Sequence, residues 1–118
     1  MKKYFLLVTL GLLVASCVQK ATDKTVFVTL TVTGKKNIQS VGIRGDGNPL
    51  SWEQDYPMKE VIKDSVYEAC LHSRTAFAYS EMKCTVDGQW ELENQPNRKI
   101  IYEDGKDTIF VRVNFDQP

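Results

Sequence analysis

Apolar and polar positions alternate most strictly in TVFVTLTVTG, Thr25 to Gly34, where Val, Phe and Leu are set among Thr. A period of two in a stretch this rich in β-branched residues predicts a strand. IQSVGIRG, Ile38 to Gly45, predicts a second, shorter strand that ends in the turn-rich GDGNP. SWEQDYPMKEVIKDS, Ser51 to Ser65, has no clean period and reads as a loop with one short helical turn. VYEACLH and AFAYSEMKCTV alternate again and predict a hairpin around Ser73-Arg74-Thr75. RKIIYE and TIFVRVNF predict another, joined by Asp104 to Asp107.

No stretch shows sustained helical periodicity, and no segment repeats. About seven short strands in about ninety residues predict an all-β fold, an immunoglobulin-like antiparallel β-sandwich. The inward positions are Val26, Val28, Leu30 and Val32, then Val41 and Ile43, then Tyr67, Ala69 and Leu71. Met82, Cys84, Ile109, Val111 and Val113 complete a single small core.

The chain has 118 residues, room for one domain. With 15 basic against 15 acidic residues, nothing in the charge favours nucleic acid. The segment MKKYFLLVTLGLLVASC has two lysines, an apolar run and a small residue before a cysteine. That is the pattern of a secretory signal peptide, too short for a membrane-spanning helix. Its ending LVASC resembles a bacterial lipobox, which implies lipidation of Cys17 and an exported lipoprotein held at a membrane, on the periplasmic face or the cell surface. The expected organisation is residues 1–17 as leader, 18–24 as a polar tether and 25–118 as the domain.

Two further cysteines remain, Cys70 and Cys84. An exported pair invites a disulfide. In the predicted hairpin, however, Cys70 faces Ala78. The offset to Cys84 is then about six residues, roughly 20 Å along a strand and beyond disulfide reach. Two buried thiols are expected.

Catalytic signals are sparse. His72 is the single histidine, no serine sits in a nucleophile elbow, and neither Cys70 nor Cys84 has an evident histidine partner. CxxC and HExxH spacings are absent, so no metal or cofactor is expected. A small sandwich offers no deep cleft to perturb its carboxylates. The triplet Arg44-Gly45-Asp46 carries almost no weight.

The two tryptophans say more. Trp52 lies in GNPLSWEQ and Trp90 in DGQWELEN, both at loop junctions among polar residues. Sugar rings have apolar faces and hydroxyl rims, so a protein that binds them needs exposed flat aromatics with amides, carboxylates and lysines around the edge. Lys83, Glu91, Asn94 and Asn97 meet that description; one tryptophan capping the end of the sandwich meets the sequence equally well.

The order of motifs resembles the starch-binding domain, carbohydrate-binding module family 20, with its relatives among glycogen-binding modules. The family has a strand, then Leu-Gly-x-Trp; this chain has VGIRGDGNPLSWE. Next comes a strand with Glu-Tyr-Lys, here Glu81-Met82-Lys83, then Trp-Glu, a polar loop and Pro-Asn-Arg, here DGQWELENQPNR. The resemblance spans Thr25 to Phe115. It implies a shallow surface site for α-1,4-glucan, with Trp52 and Trp90 stacking on successive rings. Lys83, Glu91 and Asn97 would then bond hydroxyls, and Asn94 and Arg98 would support the loop. Ser51 departs from the family's usual glycine, Met82 and Cys84 from its aromatics, and the loop from Trp90 to Asn97 is longer than is common. TGKKN offers no tyrosine for the family's second site. The family domain is usually fused to an amylase-type enzyme. Here it is expected to act alone beside separate enzymes or transport components.

Two functions therefore stand: non-catalytic binding of starch, glycogen or maltooligosaccharide, and a structural or protein-interaction module on the same fold.

Overall fold

The computed structural model describes residues 20–118; the expected leader and Cys17 lie outside them. Nine strands make up this part: β1 (Thr22–Thr31), β2 (Val41–Gly45), β3 (Tyr56–Pro57), β4 (Lys59–Ile62), β5 (Val66–Thr75), β6 (Tyr79–Val86), β7 (Gln89–Trp90), β8 (Arg98–Ile101) and β9 (Thr108–Asn114). Among the described residues there is no helix.

The strands form two sheets. One runs β4-β5-β1-β9; the other runs β3-β2-β6, with β8 and β7 pairing successive lengths of the far edge of β6. The core lies between them. Val26, Val28 and Leu30 of β1 and Tyr67 and Leu71 of β5 meet Ile43 of β2 and Met82, Cys84 and Val86 of β6. The all-β sandwich expected from the alternation is thus the observed architecture. One pairing is not antiparallel: β9 runs parallel to β1, from Thr25 opposite Thr108 to Thr31 opposite Asn114.

Several local expectations need correction. β5 and β6 are not a hairpin. β5 pairs along its whole length with β1, Thr22 opposite Thr75 and Thr31 opposite Val66, and the chain then crosses to the other sheet. β8 and β9 are likewise in different sheets. A period of two specifies which face of a strand is buried but not which strand lies beside it, so chain neighbours were wrongly paired. Residues 51–65 contain β3 and β4 instead of a helical turn. Thr22–Lys24, expected to be tether, belong to β1, and Lys24 is buried with its ammonium donating to the carbonyls of Glu103 and Lys106. Ile38 to Ser40 precede β2 as a loop held by carboxylates. The Ile38 amide donates to Asp64, and those of Gln39 and Ser40 donate to Asp87.

Of the expected core, Ile109, Val111 and Val113 are only half-buried, because β9 is an edge strand. Leu50, Met58, Leu92 and Ile100 join the buried set from loops and short strands that alternation does not reveal. Among the described residues both thiols are free, for a different reason than hairpin offset. Cys84 is buried on the inner face of β6, whereas Cys70 is half-buried on the outer face of β5, in the other sheet.

One core group lacks a partner. Tyr67 is buried, and among the described residues its hydroxyl makes no hydrogen bond of ordinary geometry. An unpaired buried hydroxyl is destabilising by about 1–3 kcal/mol. Tyr67→Phe is therefore expected to hold or raise the urea midpoint, and a drop of the size usual for a core truncation would contradict the packing described.

Candidate functional site

The candidate site is on the outer face of the second sheet. Arg44 on β2 is opposite Lys83 on β6, and Thr85 on β6 is opposite Trp90 on β7, so alternation sends these side chains outward together. The loop after β2 brings in Trp52. It starts at Gly45, where a Cβ would stand 2.5 Å from the Glu81 carbonyl oxygen, closer than any side chain permits. The Asp46 amide donates to that same carbonyl and Leu50 is buried, which pins the loop at both ends.

Trp52 and Trp90 lie side by side, ring centroids 6.2 Å apart and planes inclined by 36°. Trp90 is 43% exposed and Trp52 half-buried. The Trp52 indole N–H donates to Asp46 Oδ1 at 2.6 Å. The Arg44 guanidinium sits 5.0 Å from the Trp90 ring centre, donates to Asp55 at 2.8 Å, and reaches the Trp52 carbonyl at 3.3 Å. Asp55 also accepts from the Thr85 hydroxyl. One cation thus bridges the two tryptophan segments and stacks on an aromatic face.

Around the rings is a shallow depression of about 290 Å³, lined by Trp52, Lys83, Trp90 and Asn97. Four of the five residues expected to touch a ligand therefore come together. Lys83 Nζ donates to the carbonyls of Leu92 and Gln95, both at 2.9 Å, which ties the loop after β7 to β6 and leaves one N–H. Asn97 donates to Glu81 Oε2 at 3.3 Å.

Glu91 is the correction. It is fully buried and cannot be a rim carboxylate. Trp90 points outward, and Glu91, just past the end of β7 with its amide still bonded to the Cys84 carbonyl, points inward. Its carboxylate accepts four hydrogen bonds. Arg98 supplies two, from Nε at 2.9 Å and Nη2 at 2.7 Å, the Cys84 amide one at 2.7 Å, and the Asp116 amide one at 3.1 Å. Arg98 Nη2 also donates to the carbonyls of Asn114 and Gln117. Its bond to Glu91 holds the guanidinium above its ordinary pKa, while burial, with Glu91 beside it, pushes the Cys84 thiol well up. Arg98 thus braces Glu91 and the C-terminal segment. Asn94 is exposed at a tight turn, where it and Leu92 take positive φ, 59° and 51°. Leu92 is held in that unfavourable conformation by its buried side chain and by the Asp116 carboxylate on its amide.

Sequence reading missed Arg44, Asp46, Asp55 and Glu81 as site supports. The first two belong to the triplet given no weight; only their register opposite β6 and their distance to the rings reveal them. It also missed a histidine partner for Cys70: His72 Nε2 lies 3.8 Å from its Sγ, two residues along the same face of β5. Nor is the surface without a larger concavity. A depression of about 900 Å³ lies near the Asp46–Asn48 loop, with His72, Phe77, Tyr79 and Tyr102 in its walls. Among the described residues, no three His, Cys, Asp or Glu are grouped to hold a metal ion. No protein-family model matches the chain, and no curated protein matches it.

A buried ion pair that loses one member leaves an uncompensated charge, a loss of about 3–5 kcal/mol. Arg98→Ala is expected to destabilise by about that much in urea unfolding, and Arg98→Lys to recover little, since lysine lacks the two-pronged donor geometry. Destabilisation under about 1 kcal/mol in Arg98→Ala would show that the pair does not hold the loop.

Proposed function

We propose that the protein is a non-catalytic carbohydrate-binding lipoprotein whose ligand is an α-1,4-glucan such as starch, glycogen or a maltooligosaccharide. The observation that carries this reading is the pairing of Trp52 and Trp90 on one surface, centroids 6.2 Å apart, above a shallow depression. Aromatic faces offer the apolar contact that sugar C–H faces need. The free N–H of Lys83 and the amide of Asn97 are the polar groups at the edge. Because Glu91 is inside, the carboxylates beside the site are Asp46, bonded to the Trp52 indole, and Glu81, bonded to Asn97.

The tilt between the rings supports a curved ligand over a flat one. Each ring would meet a different sugar unit, and the 36° inclination would suit a chain that turns as it passes. The site is open, so affinity is expected in the micromolar to millimolar range, roughly −8 to −4 kcal/mol. Lipidation at Cys17 would place the domain at a membrane surface, holding glucan close to separate enzymes or transport components.

Isothermal titration with maltoheptaose or β-cyclodextrin tests the reading. Heat and a tryptophan fluorescence change are expected in the wild type. Trp90→Ala is expected to weaken binding at least tenfold, with the urea midpoint changed far less than in Arg98→Ala. No heat and no fluorescence change at millimolar sugar would sink the proposal.

A further inference from the structure

The free edge of β9 is unusual. Edge strands are normally blunted by proline, a bulge, charged side chains or extreme shortness. β9 is seven residues, TIFVRVN, paired to β1 without a register shift; it has neither proline nor bulge, and its single charge is Arg112 on the outer face. Its outer face carries Phe110, 69% exposed and stacked on Phe27 at 5.5 Å. Its inner face carries Ile109, Val111 and Val113, half-exposed along a groove of about 560 Å³ that also touches Ile101. One end of the edge is taken, because the Asn114 carbonyl accepts from Arg98. Among the described residues, no strand pairs with the outer edge of Thr108–Val113.

We infer that this edge pairs antiparallel with the same edge of a second copy, on a two-fold axis through Val111. In an antiparallel pair, opposite residues share a face, so a strand can meet itself only about a residue. Centring on Arg112 would oppose two like charges, which is destabilising. Centring on Phe110 would leave Arg112 against Thr108. Centring on Val111 puts Arg112 of each copy against Phe110 of the other, a cation over an aromatic face, twice. On the inner face it puts Ile109 against Val113, also twice, and Val111 against itself. Both halves of a matched interface are present in one five-residue stretch, which is why the partner is another copy of this chain. The four-stranded sheet becomes an eight-stranded one, and the Phe27–Phe110 stack continues into Arg112 of the neighbour. The inference is independent of the sugar reading.

Cysteine cross-linking of the full chain in non-ionic detergent tests it, with Cys17 and Cys70 replaced by Ser. Val111→Cys is expected to give a disulfide-linked dimer by itself. Ile109→Cys alone is not, because two copies of that position would be about 13 Å apart along the strands. Mixed chains carrying Ile109→Cys and Val113→Cys are expected to link. Adding Phe110→Lys to Val111→Cys opposes Lys to Arg112 and is expected to lower linking at least tenfold. Further adding Arg112→Glu is expected to restore it. Circular dichroism establishes that each variant is folded. Val111→Cys that links no better than Ile109→Cys, or linking indifferent to Phe110→Lys, would overturn the inference.

Discussion

The carboxylate of Glu91 is the constraint around which this surface is organised. It is fully buried and accepts four hydrogen bonds. A charge removed from water is tolerable only when its partners are complete. Here completeness draws in four parts of the chain. β6 gives the Cys84 amide, β8 gives Arg98, the segment after β9 gives the Asp116 amide, and β7 delivers Glu91 itself. Arg98 then reaches the carbonyls of Asn114 and Gln117, so the C-terminal segment is tied across the seam between the two sheets.

The outer surface follows from that buried anchor. With Glu91 directed inward, Trp90 must point out, and the loop beyond is pulled back through the Leu92 amide on Asp116 and the Leu92 and Gln95 carbonyls on Lys83. The second tryptophan arrives by an independent route, on a loop that only glycine at position 45 lets past β6. Arg44 joins the two, bonded to Asp55 and the Trp52 carbonyl and stacked on Trp90. The ring pair is therefore held from beneath. Most polar groups near it are already committed to internal bonds, and Lys83 and Asn97 are left at the open edge.

Some of this was legible in the chain. β1 could be read because it is half-buried along ten residues, and a half-buried strand writes its period into the sequence. Trp52 and Trp90 were singled out together through the order of motifs and not through periodicity; that their rings lie 6.2 Å apart, with Trp52 half-buried, is a tertiary fact. Glu91 was misplaced for an instructive reason. Beside a tryptophan in a polar loop it looked like a rim carboxylate, and only its partner seven residues on, Arg98, makes burial possible. The hairpins failed similarly. Val66–Thr75 and Tyr79–Val86 are adjacent in sequence, but β1 offered β5 a ten-residue ladder in the other sheet.

The amino-acid sequence by itself determined that this protein is all-β, which side of each long strand faces inward, and that two tryptophans stand among polar residues at loop ends. These are local properties, set by the alternation of side chains on an extended backbone and by turn chemistry. The tertiary structure alone decided which strands are neighbours, which of two adjacent residues, Trp90 or Glu91, meets solvent, and that Arg44 supports both rings. Those depend on contacts between residues distant in the chain, where hydrogen-bond partners and close approach of backbones are established only once the two sheets have come together.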